Sequence, residues 1–96
     1  MRRLKLMADY GCHPLWGTAT DEIGDIDPAS LPISAGLVAD LTAWAADFDA
    51  TLDADDPAAS GFATPRARAA FAARGAELAR RLGDELGAGH AIEFVG

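Results

Sequence analysis

The sequence predicts an α+β (or α/β) fold: a two-layer sandwich in which a small β-sheet carries two amphipathic helices on one face, ordered strand, loop, helix, helix, strand. Three observations predict it. Segments near both ends have the residue types of strands, and two central stretches repeat apolar residues at helical spacing. The length of 96 residues allows one core and no more, because a chain this short hides only roughly 60 to 65% of its unfolded surface. No linker, repeat or low-complexity tract divides it, so the expectation is a single domain over residues 1–96.

The first strand is read over Arg3 to Ala8, where polar and apolar residues alternate and place Leu4, Leu6 and Ala8 inward. From Cys12 to Ser34 the pattern loses its period and fills with Gly, Pro, Asp and Thr, a connection longer than compact domains usually tolerate without short elements of its own. Ile23 to Ile26 fits a short edge strand there, and Asp27 to Ser30 has the composition of a tight turn. Ser34 is placed to cap a helix whose apolar stripe is Leu37, Leu41, Trp44, Phe48 and Leu52. That helix must end before Asp56 and Pro57, because proline disfavours helical geometry in its predecessor.

Asp55 to Ala63 reads as a second loop. Thr64 and Pro65 then open another helix, threonine capping and proline occupying the first helical position. Its stripe is Phe71, Leu78, Leu82 and Leu86, with Gly75 in register, which implies close approach of the first helix at that glycine. Gly87 or Gly89 ends the helix, and Ala91 to Val95 forms a final strand. Two strands alone make a marginal sheet. A third strand from the long loop, a homodimer, or pairing of an open edge with a partner would each meet the deficit.

The core is lean, since 22 of the apolar residues are alanine. With Cys12 as the lone cysteine no internal disulfide can form. Cys12, His13 and His90 are too few for a zinc site by the usual spacing rules, and the aspartates after residue 46 lack the glycine and glutamate of an EF-hand loop. No glycine-rich phosphate loop is present. No metal and no cofactor is therefore expected. The apolar residues after Arg2, Arg3 and Lys5 are cut by Asp9, so no signal-peptide core forms. No apolar run approaches the roughly 20 residues of a membrane span, and a cytoplasmic, membrane-free protein is expected.

Charge is the most informative feature. The chain has 8 Lys+Arg against 15 Asp+Glu, a net −7, yet between Leu6 and Pro65 there is no cation at all. Asp47, Asp49, Asp53, Asp55 and Asp56 crowd the end of the first helix, where they oppose the helix dipole at some local cost. Such a field repels nucleic acid and steers basic partners inward. Asp47, Asp49, Asp53, Asp55 and Asp56 are accordingly the candidate partner-binding residues, with Trp16 as an apolar anchor of the kind that dominates binding hot spots. The alternative is a small enzyme or ligand-binding protein whose site lies near Asp9, Tyr10, Cys12 and His13, with His90 as the imidazole to reach the thiol. Adjacent residues in extended chain point apart, so Cys12 and His13 would not pair with each other.

The stretches Leu6 to Trp16, Asp25 to Pro28, Trp44 to Asp49 and Asp55 to Phe62 resemble those of a set of small bacterial proteins of about this size. Those proteins, mostly without an assigned activity, are similar in size, acidity and lack of catalytic motifs to immunity proteins that neutralise the toxins of competing bacteria. The resemblance implies no catalytic residue. Taken with the acidic segment, it leads to the expectation of a non-enzymatic protein of the immunity or antitoxin kind that docks its acidic face on a basic toxin or enzyme.

Overall fold

The computed structural model describes residues 2–18, 24–52, 55 and 61–95. The alternating residues of the first segment form β1 (Arg2–Leu6), whose Leu4 and Leu6 are fully buried. Two short strands come from the long connection: β2 (Leu15–Gly17) and β3 (Asp25–Ile26). Ile23, the expected start of the edge strand, lies outside the described residues. The last strand, β4 (His90–Phe94), runs parallel to β1, while β2 pairs antiparallel with both β1 and β3. The sheet order is β3-β2-β1-β4, so the third strand expected from the loop is present, with a fourth beyond it.

Register explains which side chains face the helices. Leu4 lies opposite Gly17 and Ile92, Leu6 opposite Leu15 and Phe94, and Leu15 opposite Ile26. All of these point to one face, and the residues between them, Arg3, Lys5, Trp16, Ala91 and Glu93, point to the other. Helix α1 (Ala35–Asp49) contributes Leu37, Leu41 and Trp44 to the core, and α2 (Pro65–Leu86) contributes Leu78 and Leu82. Both helices thus cover the same sheet face, as the two-layer reading requires.

The expected caps are in place. Ser34 Oγ accepts from the Leu37 amide and Thr64 Oγ1 from the Ala67 amide. Pro65 is the first residue of α2, and Gly87 ends that helix at φ +76°, in the left-handed region that only glycine enters freely. The two helices are also joined by charge. Arg81 donates to Asp40 across the interface at 2.6 Å, and Glu85 accepts from both the amide and the hydroxyl of Ser34.

Boundaries differ from the sequence expectation at three elements: β1 ends at Leu6 rather than Ala8, β4 runs over His90–Phe94 rather than Ala91 to Val95, and the first helix ends early. The apolar stripe continues to Leu52, but α1 stops at Asp49 and Leu52 is 47% exposed. The cause is local. Thr51 Oγ1 takes the Phe48 carbonyl at 2.7 Å, and the Thr51 and Leu52 amides turn back by three residues rather than four, which tightens and ends the helix. The Thr51 hydroxyl also meets Tyr10 Oη at 2.9 Å, and the Tyr10 ring stacks on Phe48 at 4.5 Å. The loop after β1 is thereby clamped to the end of α1.

Candidate functional site

The clamp creates a groove of about 340 Å³ at the β3 margin of the sheet. The loop residues Gly11 to Pro14 form one wall, Asp25 of β3 closes one end, and Thr42, Ala45, Ala46 and Asp49 of α1 form the other wall. Two of its carboxylates hold the loop in place. Asp25 Oδ2 accepts from the His13 amide, and Asp49 Oδ1 accepts from the Gly11 amide at 3.1 Å. The hydrogen bond from His13 draws the Asp25 carboxyl below its ordinary pKa, so it stays ionised in the groove.

The same carboxylates act on Cys12. Partial burial, and then the charges of Asp25, Asp9 and Asp49, raise the thiol above its ordinary value. The charges of three acids, two of them in the groove wall, therefore bear on Cys12, and they keep it protonated and a poor nucleophile at neutral pH. The arrangement is the reverse of the electropositive setting that activates a catalytic cysteine.

The structure also separates the residues of the enzyme reading. His90 opens β4 beside Arg2, whereas Cys12 and His13 follow the far end of β1. Parallel strands start at the same end of a sheet, so the length of β1, about 13 Å, stands between the imidazole of His90 and the thiol loop. His90 Nδ1 is buried with no hydrogen-bond partner among the described residues, and it cannot serve Cys12. Among the described residues no group of three or more His, Cys, Asp or Glu is arranged to hold a metal ion. None of their helices is long and apolar enough to cross a membrane.

The candidate partner-binding residues are divided by the geometry. Asp49 lines the groove, but Asp47, two residues away and so on the other side of α1, lines a separate apolar groove of about 360 Å³ with Trp44, Phe62, Ala67, Ala70, Phe71 and Arg74. Asp55 is exposed, and Asp53 and Asp56 lie outside the described residues. Trp16 is half-buried on the open sheet face, its indole Nε1 donating to the Met7 carbonyl at 2.9 Å and Lys5 Nζ lying 5.9 Å from its ring centre. Trp16 is directly opposite Asp25 in the β2–β3 ladder, which makes the aromatic and the acidic groove neighbours. In the sequence nothing sets Asp25 apart from the other acids of its segment. Only its place opposite Trp16, set by a two-residue strand, brings it to the groove.

A small α+β protein with one face of its sheet open and an acidic, loop-walled groove at one margin is the class that fold and site define. Residues 2–96 match the family described as Serratia CdiI immunity protein-like, and the chain belongs to that family. The likeness to toxin-immunity proteins read from the sequence is borne out by this match. Its role is that of an immunity protein in general terms, and a protein partner, the toxin, follows from that role. No curated protein matches the chain.

Proposed function

We propose that this immunity protein neutralises a toxin with a basic surface by docking the acidic side of α1 and its flanking loops on it, in the cytosol of the cell it protects. The observation that carries the reading is that Asp25 and Asp49 line one groove, with the charge of Asp9 also felt at its Cys12, and that the groove walls include the apolar Pro14, Ala45 and Ala46. A cationic side chain entering it would meet carboxylates at the rim and lay its aliphatic stem on the apolar wall. Trp16, beside Asp25, supplies the flat apolar contact. Asp47 and Asp55, with Asp53 and Asp56, extend the negative field over the rest of a segment without a single Lys or Arg.

Complementary charge acts mainly on the rate of association and is screened by salt. The test is association kinetics with the toxin domain at low and high ionic strength, for the natural chain and for the Asp25→Asn/Asp49→Asn double variant. Asparagine retains the oxygen that accepts from the His13 and Gly11 amides, so the loop keeps its shape while two charges go. The double variant should associate about tenfold more slowly at low salt, with the difference vanishing at high salt. A complex indifferent to salt, to this variant and to Asp47→Asn would overturn the mechanism.

A further inference from the structure

We infer that the chain pairs with a second copy of itself through the outer edge of β4. The two margins of the sheet are unlike. The β3 margin is two residues long and is followed at once by Asp27 and Pro28, whereas β4 is five residues long, contains no Pro or Lys, and has Glu93 as its one carboxylate. Natural sheets usually blunt such an edge with charge, proline, a bulge or a covering element.

The hydrogen-bond parity of β4 follows from one bond. Val95 N donates to the Leu6 carbonyl at 2.9 Å, and in a parallel ladder Leu6 then bridges Glu93 and Val95. Ala91 and Glu93 therefore turn their amides and carbonyls towards β1. Those of His90, Ile92 and Phe94 point outward, and among the described residues no strand receives them.

This edge is complementary to itself. A two-fold axis through Ile92 places Ile92 opposite Ile92 of the second copy and His90 opposite its Phe94, so that every outward amide and carbonyl is used in an antiparallel ladder. On the open sheet face the same register sets Glu93 against the second copy's Ala91, and the two glutamates never lie directly opposite each other. The helix beneath permits the approach. Gly75 and Gly83 lie under Phe94 and Ile92, and the flank of α2 turned away from α1 has Ala72, Ala76, Ala79 and Gly83 at spacings of four, three and four. Paired strands are about 4.8 Å apart, so the two α2 helices must cross near the short limit of the 8 to 10 Å range. Alanine and glycine on the facing flanks are what that crossing needs, and Gly83 sits nearest the axis.

The pairing uses the margin opposite the acidic groove, so it stands or falls independently of the toxin-docking proposal. Salt separates the two. Each copy has a net −7, so self-pairing strengthens as salt screens the repulsion, whereas docking on a basic toxin weakens.

Sedimentation equilibrium of the purified chain over a concentration series at low and high salt tests the inference, with Ala91→Glu and Ala91→Lys alongside. The expected result is a species of twice the 10.0 kDa chain mass whose population rises with salt. Ala91→Glu sets two glutamate pairs face to face and should raise the dimer dissociation constant roughly three- to thirtyfold. Ala91→Lys pairs with Glu93 of the second copy and should lower it. Within one copy residue 91 is opposite Arg3, so Ala91→Glu gains a local partner and its fold, checked by thermal unfolding at high dilution, should hold. A monomer at every concentration and salt, or a dimer that responds alike to Glu and Lys, overturns the inference. A monomeric chain in which the Ala91 variants change toxin affinity instead assigns the edge to the toxin and also overturns it.

Discussion

Gly75 sits where both helices and the last strand meet. A Cβ built there would lie 2.6 Å from the Phe94 ring and 2.7 Å from Trp44 Cζ2. The Trp44 ring has little room to yield, since it is stacked on Phe71 at 4.4 Å and its indole donates to the Phe71 carbonyl at 3.0 Å. Alanine would improve helix propensity by roughly 0.5 to 1 kcal/mol, but overpacking a filled site costs about 1 to 3 kcal/mol. Gly75→Ala should therefore lower stability by about 1 to 2 kcal/mol in urea unfolding, and a variant as stable as the natural chain would show that the contact is loose. The glycine's role was legible in the sequence from its register with Phe71 and Leu78. That β4 as well as α1 presses on it was not, because the parallel pairing of β4 with β1 is a long-range event with no local signature.

At the scale of elements, the caps are local and were readable from Ser34, Thr64 and Pro65 alone. What joins them is not. The Ser34 amide and hydroxyl both donate to Glu85, at the far end of α2, at 2.6 and 2.9 Å, while the Ser34 hydroxyl oxygen accepts from Leu37. One side chain thus starts α1 and ties it to the last turn of α2. Ser34→Ala should cost about 1 to 2 kcal/mol, at the upper end for an N-cap. Ser34→Thr should recover most of it in the same unfolding assay. Equal stability of the alanine variant would mean that the amide bond to Glu85 suffices. The short strands β2 and β3 belong to this scale too. Three and two residues are too few for a period to declare itself; β2 exists because β1 offers it a ladder, and β3 because β2 does.

For the whole molecule, charge governs how stability varies with pH. The carboxyls of Asp40, Asp25 and Glu77 are held below their ordinary values of 3.8 and 4.5, Asp40 by the hydrogen bond from Arg81, Asp25 by that from the His13 amide, and Glu77 by that from Arg80. A carboxyl whose pKa is lowered by folding stabilises the native state above its unfolded value, and that contribution disappears as pH falls through the folded one. The thermal midpoint should therefore be nearly level from about pH 7 to pH 5 and drop as pH falls below about 4. A midpoint that rises on acidification would instead show that mutual repulsion among the aspartates outweighs these partners. The same surface sets opposite salt responses for toxin docking and for self-pairing.

The sequence by itself determined the two-layer α+β class, the two helices with their caps and stripes, the first and last strands, and the acidic character of the stretch between Leu6 and Pro65. Each of these depends on periodicity, capping chemistry or composition, which neighbouring residues express on their own. The tertiary structure alone decided that Asp47 and Asp49 serve different grooves, that Asp25 stands beside Trp16, that His90 is at the far end of the sheet from Cys12, and that no strand among the described residues pairs with the outer edge of β4. Those facts depend on strand order and register, set by burying Leu4, Leu6, Leu15, Ile92 and Phe94 together against the helices. That choice is collective, and no segment of the chain makes it alone.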